Sequence, residues 1–176
     1  DDRSDKAAAR FFVGRLDYDA RAIRGFRATR QVPLRRPDGT TFPATASVSG
    51  ERADAEALRI DPVTDQLVWS SEGDSARGFA PSLRRMTRDG RWTGNLSAPS
   101  SFGFDPVRAS GARPNLTFEG VSFSPGGRWL WLAMEAPLIE DGPVSTVARG
   151  GVTRISRLDR AGRLQAQYAY RLDPIQ

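Results

Sequence analysis

Four glutamates occupy matching positions in two stretches of the sequence, EALRIDPVTDQLVWSSE (56–72) and EGVSFSPGGRWLWLAME (119–135). Each stretch begins and ends with glutamate, and the second follows the first at an offset of 63 residues, as from Glu56 to Glu119. Apolar residues flanking a short polar turn predict a β-hairpin in each stretch. The sequence therefore predicts one hairpin built twice, with two carboxylates at the open end of each copy.

If the turns are centred on Thr64 and Gly127, the two glutamates of each hairpin face each other across the strands. Opposed side chains lie about 5 Å apart at Cβ, where like charges are destabilising. A shared proton, an arginine between the carboxylates or a hard divalent cation would relieve the repulsion. Alternatively, the glutamates cap strand ends by accepting backbone N–H bonds. The residues alone leave structural capping, metal binding and acid/base catalysis open.

The sequence contains no cysteine and no histidine. This excludes disulfides, zinc fingers, cysteine nucleophiles and a Ser-His-Asp relay within the chain. A metal bound by oxygen ligands alone should be Ca²⁺ or Mg²⁺. Further acids near the two hairpins extend the candidate ligand set beyond the four glutamates: Asp74, Glu140, Asp141 and the N-terminal pair Asp1-Asp2.

The composition is that of an ordinary globular domain, with 176 residues, of which 39% are hydrophobic and 27% are charged. The net charge is +5, and Lys6 is the only lysine among 26 basic residues. The arginines are spread along the chain without a dense basic arm, so we expect no nucleic-acid binding. No apolar run is long enough to span a membrane. Because the chain opens on Asp1 rather than methionine, we expect a processed form or a fragment.

A second, more polar hairpin is predicted after each glutamate-bounded one. Strands at 82–88 and 91–96 flank the turn Asp89-Gly90, and strands at 152–158 and 164–172 flank a turn at 159–162. A further hairpin is predicted near the N-terminus, with strands at 10–16 and 22–26 around a turn at 17–19. The sequence therefore predicts an all-β fold.

Repeated four-stranded units indicate a partial β-propeller, with a β-sandwich as the rival architecture. The run Leu130–Met134 is apolar at every position, which predicts a strand covered on both faces. About two and a half antiparallel blades do not close a ring, so we expect a sector of a larger propeller or association through exposed blade edges. The predicted parts are an outer hairpin at 10–26, blades at 56–96 and 119–172, and long connectors at 27–50 and 97–117.

Several motifs resemble the phytase-like β-propeller family, whose members are described as having esterase-like activity. They are Arg113-Pro-Asn115-Leu-Thr-Phe-Glu119-Gly120, Ser124-Pro-Gly-Gly127, Met134-Glu135, Leu138, Asp141-Gly142, Asp1-Asp2-Arg3-Ser4, Ser70-Ser71-Glu72-Gly73-Asp74 and Tyr168-Ala-Tyr170-Arg-Leu172-Asp173. The resemblance covers nearly the whole chain.

The resemblance implies a secreted or periplasmic propeller that hydrolyses phosphomonoesters or other esters with Ca²⁺. By this resemblance Glu56, Glu72, Glu119 and Glu135 would hold the metal, and Arg113 would grip the phosphate. With the nearby acids added, the predicted ligands are Glu56, Glu72, Asp74, Glu119, Glu135 and Asp141, and Arg113 and Asn115 are the predicted binding residues for a small phosphoester or ester substrate. No catalytic residue is assigned. The alternative is a non-catalytic, extracytoplasmic propeller that binds a protein or glycan partner through the connectors at 27–50 and 97–117.

Overall fold

The computed structural model describes residues 7–44 and 50–175 and is all-β, with a few 3₁₀ turns. Asp1-Asp2 lie outside the described residues. The strands in chain order are β1 Arg10–Tyr18, β2 Ile23–Pro33, β3 Ala55–Ile60, β4 Leu67–Ser71, β5 Ser82–Met86, β6 Trp92–Leu96, β7 Phe104–Asp105, β8 Ser110–Gly111, β9 Phe118–Phe123, β10 Leu130–Met134, β11 Val152–Leu158 and β12 Leu164–Arg171.

Two four-stranded antiparallel sheets form the main body of the fold. Their strand orders are β3-β4-β5-β6 and β9-β10-β11-β12, and β1-β2 and β7-β8 form separate hairpins. Strand β9 packs against β3 and β4 of the first sheet. A core cluster combines residues of both sheets with Phe102 and Ala112 of the connector, so the connector closes the space between the sheets.

Burial on both faces is found in β4 rather than in β10. All five residues of β4 are buried, because Val68 faces the core between the sheets and Leu67 and Trp69 face a second core. In β10 burial alternates, and Trp131 and Ala133 are only half-buried. The prediction that β10 is covered on both faces is therefore wrong within the described residues. Within residues 7–44 and 50–175, the first sheet is the one that packs against a core cluster on each face.

The internal repeat is visible in the hydrogen bonds of the two inner hairpins. Asp61 N–H donates to Gln66 O at 2.8 Å, and Ser124 N–H donates to Trp129 O, 63 residues further on, at 2.9 Å. At the open ends, the N–H groups of the last glutamates donate to Asp54 O and Thr117 O, which are again 63 residues apart. The two hairpins are therefore copies in backbone geometry as well as in sequence.

The predicted register of these hairpins is wrong by two residues at their open ends. Leu58 pairs with Trp69 and Leu130 pairs with Phe123. The centre of each turn therefore lies half a residue before the predicted centre at Thr64 or Gly127. Each first strand then has an irregularity at its glutamate, between Ala55 and Leu58 and around Glu119. A bulge inserts one extra residue and re-aims side chains. The glutamates are consequently not direct cross-strand partners.

The turn ends of the two sheets are joined by a buried ion pair. Arg160, in the turn between β11 and β12, donates from Nη2 to Asp61 Oδ2 at 2.6 Å and from Nη1 to Asp61 Oδ1 at 3.1 Å. The same Nη1 donates to Gly127 O at 2.8 Å. Arg160 therefore connects three turns, including the predicted turn at 159–162.

Asp61 is fully buried, and burial alone would raise its pKa. The hydrogen bonds from Arg160 and from its own turn, at Val63 N and Thr64, outweigh burial and lower the pKa to about 2. A carboxyl whose pKa is lowered on folding stabilises the fold above its ordinary pKa and loses that contribution as the pH falls through the folded value. Asp61 should therefore support the fold at every pH above about 4.

Replacing Asp61 with asparagine should lower the free energy of unfolding by roughly 2–4 kcal/mol, because it leaves the half-buried Arg160 without its counter-charge. Urea denaturation at pH 7 measures this change. The matched control is Asp65→Asn, since Asp65 pairs with Arg88 but its side chain is 76% exposed. That variant should lose less than about 1 kcal/mol. Equal losses in the two variants would contradict a special role for the buried pair.

Candidate functional site

The open ends of the two inner hairpins bring five carboxylates together. Oxygen atoms of Asp54, Glu56 and Glu72 lie within 4.8 Å of one another, and so do oxygen atoms of Glu72, Glu119 and Glu135. Glu72 belongs to both groups. We call the five residues the acidic cluster. The cluster combines residues of β3, β9 and the segments next to β4 and β10, so neither sheet forms it alone.

The position of Glu72 is fixed by contacts with the second hairpin. Thr117 N–H donates to Glu72 Oε1, Thr117 Oγ1 donates to Glu72 O at 3.4 Å, and Glu72 N–H donates to Asp54 O at 3.0 Å. Glu72 and Asp54 are 3% and 2% exposed. Both residues are therefore buried, and the contact between the sheets holds the Glu72 carboxylate in place.

The other carboxylates of the cluster are more accessible to solvent. Glu56 is half-buried, and Glu119 and Glu135 are exposed. Among the described residues, Glu72 is the only one of the four glutamates whose carboxylate accepts a backbone hydrogen bond. Structural capping thus accounts for Glu72 but leaves the oxygens of the other three glutamates available to a ligand.

The electrostatics of the cluster favour protonation. Burial raises the pKa of Glu72, and the charges of Asp54, Glu119 and Glu56 raise it further, against the opposing effect of the Thr117 hydrogen bond. Burial and the neighbouring carboxylates also raise the pKa values of Glu119 and Glu135. Such shifts mean that the folded protein binds protons at these carboxylates more readily than isolated carboxylates do.

Neighbouring segments supply the backbone geometry that the cluster needs. Gly73 follows Glu72 with φ 79°, and a Cβ at this position would lie 2.4 Å from Phe79 O. The chain can turn here because this residue lacks a side chain. Ser70 Oγ accepts from Ala57 N–H at 3.1 Å and donates to Phe118 O at 3.1 Å, which ties both irregular strands together.

The remaining sequence-predicted ligands lie outside the cluster. Asp74 is buried and paired with Arg52 at 3.2 Å and with Arg77 at 3.7 Å. Asp141 is paired with Arg154, whose Nε and Nη2 both donate at 2.6 Å. The structure therefore gives these two carboxylates arginine partners and does not bring them to Glu72.

The two predicted substrate-binding residues, Arg113 and Asn115, have roles in the local structure of the chain. Arg113 donates from Nε to Pro137 O at 3.1 Å and from Nη2 to Gly142 O at 2.8 Å. Asn115 lies in a turn with φ 59°, a conformation that asparagine tolerates better than most residues. Arg113 thus holds the loop after β10, which begins beside Glu135.

Sequence reasoning missed Asp54 as a member of the cluster. It stands two residues before Glu56 and 63 residues before Thr117, so the repeat pairs it with a residue that cannot ionise. Asp54 and Glu56 are two residues apart at the start of a predicted strand, where alternate side chains share a face, and this spacing could have identified Asp54. The expected register hid it, because that register gave Glu72 a different partner.

The family model described as phytase-like, esterase-like activity of phytase, matches residues 1–176, the entire chain. The chain belongs to this family. No curated protein and no solved structure matches it. Within the described residues no helix has the length and apolar character needed to cross a membrane. Membership of the family supports an esterase-like or hydrolase-like activity at a coarse level.

The oxygen-only donor set fits a hard divalent cation. Carboxylate oxygens are the preferred ligands of Ca²⁺ and Mg²⁺, and no nitrogen or sulfur ligand is required. Burial first, and the neighbouring carboxylates second, raise the pKa values of Glu72, Glu119 and Glu135, so a proton or a cation that reduces the charge would relieve both effects. The arrangement therefore suits cation binding or a proton held between carboxylates.

Without divalent cations, the cluster should make the fold more stable as the pH falls from neutrality towards the ordinary glutamate pKa of about 4.3. Carboxyls whose pKa is raised on folding bind protons in the folded state first, so stability is lost as the pH rises through the folded pKa values. Thermal unfolding in EGTA measures this trend. The trend should flatten in Glu72→Gln and persist in Glu140→Gln, whose carboxylate lies outside the cluster. A wild-type melting temperature that falls steadily as the pH is lowered over this range would contradict the raised pKa values.

Proposed function

We propose that this chain is part of a β-propeller hydrolase that cleaves phosphomonoesters or other esters with a divalent cation, Ca²⁺ in the first instance, at the acidic cluster. The observation that carries the proposal is the convergence of five carboxylates from two repeated hairpins. Family membership supports the reaction class. The sheet orders and the contact of β9 with β3 and β4 support a propeller arrangement with radially stacked sheets.

The burial of the carboxylates suggests a division of roles. Asp54, Glu56 and Glu72 form the more buried group and would hold the cation, with Glu72 shared between both groups. A bound cation would polarise an ester oxygen and lower the pKa of a water molecule. Glu119 and Glu135 face solvent and have raised pKa values, which suits proton transfer to or from the reacting groups.

The arginine pairs of Asp74 and Asp141 support their omission from the proposed ligand set. Asp141 is paired with Arg154, and Asp74 is paired with both Arg52 and Arg77, so positive charge already balances each carboxylate. Arg113 would act by positioning the loop that follows Glu135 rather than by binding substrate with its whole guanidinium group. We further propose an extracytoplasmic location, as the family resemblance implies.

Calorimetric titration with Ca²⁺ tests the site. The wild-type protein should bind Ca²⁺, and Glu72→Gln should bind it at least 10-fold more weakly, because Glu72 contributes to both groups of carboxylates. Glu119→Gln should weaken binding less and should reduce ester hydrolysis. Glu140→Gln is the matched control and should bind like wild type.

Hydrolysis of p-nitrophenyl esters, p-nitrophenyl phosphate and phytate tests the reaction. Activity should disappear in EGTA and return with Ca²⁺. A protein that binds no divalent cation and hydrolyses none of these compounds would refute the proposed function. Binding of Ca²⁺ without turnover would reduce the proposal to a metal-stabilised binding protein.

The N-terminal hairpin favours a second candidate function, association with a second copy of the chain. Its cross-strand pairs Leu16–Phe26 and Tyr18–Ile23 place four apolar side chains on one face, and all four are about half to three quarters exposed. The ring of Phe26 also crosses Gly14, where a Cβ would lie 2.3 Å from the ring. An isolated two-stranded hairpin is marginally stable in water, so this apolar face calls for a cover.

A second copy suits this face on grounds of charge. The four residues of the apolar face carry no charge, so two copies can meet there without like-charge repulsion. The other face carries the cross-strand pair of Arg15 and Arg27, which would repel an identical surface. The apolar face is therefore the side on which self-association would occur.

Sedimentation velocity over a range of concentrations tests this association. The wild-type protein should form dimers, Phe26→Asp should remain monomeric, and Arg27→Asp, which changes the neighbouring residue on the opposite face, should still dimerise. A wild-type protein that stays monomeric at the highest concentration would contradict self-association. Pull-down of a different protein by the same face, from a wild-type protein that stays monomeric, would replace self-association with binding of another partner.

A further inference from the structure

A pocket of about 370 Å³ opens beside Glu135, at the end of the sheets that carries the acidic cluster. Glu135 belongs to both features, since it lines the pocket and its carboxylate lies within 4.8 Å of Glu72 and Glu119. The lining residues are Leu116, Glu135, Ala136, Pro137, Val144, Ser145, Leu172, Asp173 and Ile175. A molecule in this pocket would therefore extend directly to the cluster.

The pocket is formed by three chain segments that hydrogen bonds hold together. Leu172 N–H donates to Gly151 O at 2.9 Å, and Ile175 N–H donates to Thr146 O at 3.1 Å. These bonds place the segment after β12 over the loop that contains Val144 and Ser145. A pocket closed by backbone hydrogen bonds exists before a ligand binds, which lowers the entropic cost of binding.

The chemistry of the lining suits a neutral apolar group. Six of its nine residues are aliphatic or proline, and none of the described lining residues is an arginine or the lysine. The two charged residues, Glu135 and Asp173, are both acidic. A phosphate group would meet like charge here and no guanidinium group, whereas a hydrocarbon group would be removed from water at no such cost.

A neighbouring pocket shows the contrast. It has a volume of about 530 Å³, shares Leu172 and Asp173 with the first pocket, and is lined by Arg149 and Arg171 among others. Anionic groups would therefore find positive charge on the other side of the same segment. Of these two pockets, the one that contains Glu135 adjoins the acidic cluster.

Ser145 supplies a polar contact within the apolar pocket. Its Oγ is shielded from solvent and has no hydrogen-bond partner among the described residues. Buried hydroxyl groups are normally hydrogen-bonded, and a rotation of the Ser145 side chain towards the pocket would let this hydroxyl bind a ligand oxygen. An ester oxygen is a suitable acceptor for this hydroxyl.

We propose that this pocket binds the apolar acyl or alcohol group of a carboxylic ester whose scissile bond lies at the acidic cluster. The assignment deepens the proposed function and rests on it for the reaction, but binding of the apolar group does not depend on a metal. Ser145 would donate to an ester oxygen, and Val144, Leu172 and Ile175 would contact the hydrocarbon. Highly phosphorylated compounds such as phytate would then be poor substrates.

Binding of 4-nitrophenyl alkyl ethers, which lack the scissile ester bond, tests the pocket without requiring turnover. Affinity measured by calorimetry should rise about three- to fourfold for each methylene from the ethyl to the butyl ether. Val144→Asp and Ile175→Asp should each weaken binding of the butyl ether at least 10-fold. Ile175 is 57% exposed, so its replacement leaves the core intact. Val147→Asp is the control, because Val147 is 80% exposed and lies outside the pocket lining.

The pocket assignment is supported if affinity increases with chain length and only the two pocket variants weaken binding. It is overturned if the ethers fail to bind, if affinity does not depend on chain length, or if Val147→Asp has the same effect as the pocket variants. The Ca²⁺ titration is a separate measurement. A wild-type protein that binds the ethers but not Ca²⁺ would refute the metal site and support the pocket. A wild-type protein that binds Ca²⁺ but not the ethers would refute the pocket and support the metal site.

Discussion

Repulsion between the carboxylates of the acidic cluster is the constraint on which the rest of the structure depends. Five acidic side chains share one end of two sheets, and two of them are buried. Burial and mutual repulsion both raise the pKa values of Glu72, Glu119 and Glu135. Such an arrangement persists only if the surrounding contacts are strong enough to hold it. At this end those contacts include the hydrogen bonds of Thr117 and Ser70 across the two sheets.

The opposite end of the sheets carries the compensating interactions. Arg160 joins Asp61 of the first hairpin to Gly127 of the second, and Ser97 N–H donates to Ala161 O at 3.1 Å beside it. Between the two ends, the shared core packs Val68 and Leu83 of the first sheet with residues of the second. The Arg160–Asp61 pair thus stabilises the turn ends, whereas the acidic cluster at the open ends gathers carboxylates whose charge a ligand can balance.

The surroundings of the cluster restrict the chemistry further. Arg113, Arg154 and the two partners of Asp74 are committed to carbonyls or carboxylates of the protein. The adjoining pocket is mostly apolar, and the two charged residues in its lining, Glu135 and Asp173, are both acidic. An anionic substrate would therefore depend on a bound cation, whereas an ester with an apolar group gains affinity from the pocket itself. The pocket therefore favours the ester substrate proposed above over a highly phosphorylated one.

The sequence by itself determined the repeat, the all-β fold and the four glutamates that meet at one end. Apolar runs and Asp-Gly turns depend only on neighbouring residues, and the repeat offset between Glu56 and Glu119 can be read directly from the sequence. Tertiary structure decided the register and the composition of the cluster. A bulge adds one residue to each first strand, which moved Asp54 next to Glu72 and removed the expected facing pairs. The tertiary structure also paired Asp141 with Arg154 and formed the pocket at Glu135. Contacts between such distant segments depend on packing that no local pattern encodes.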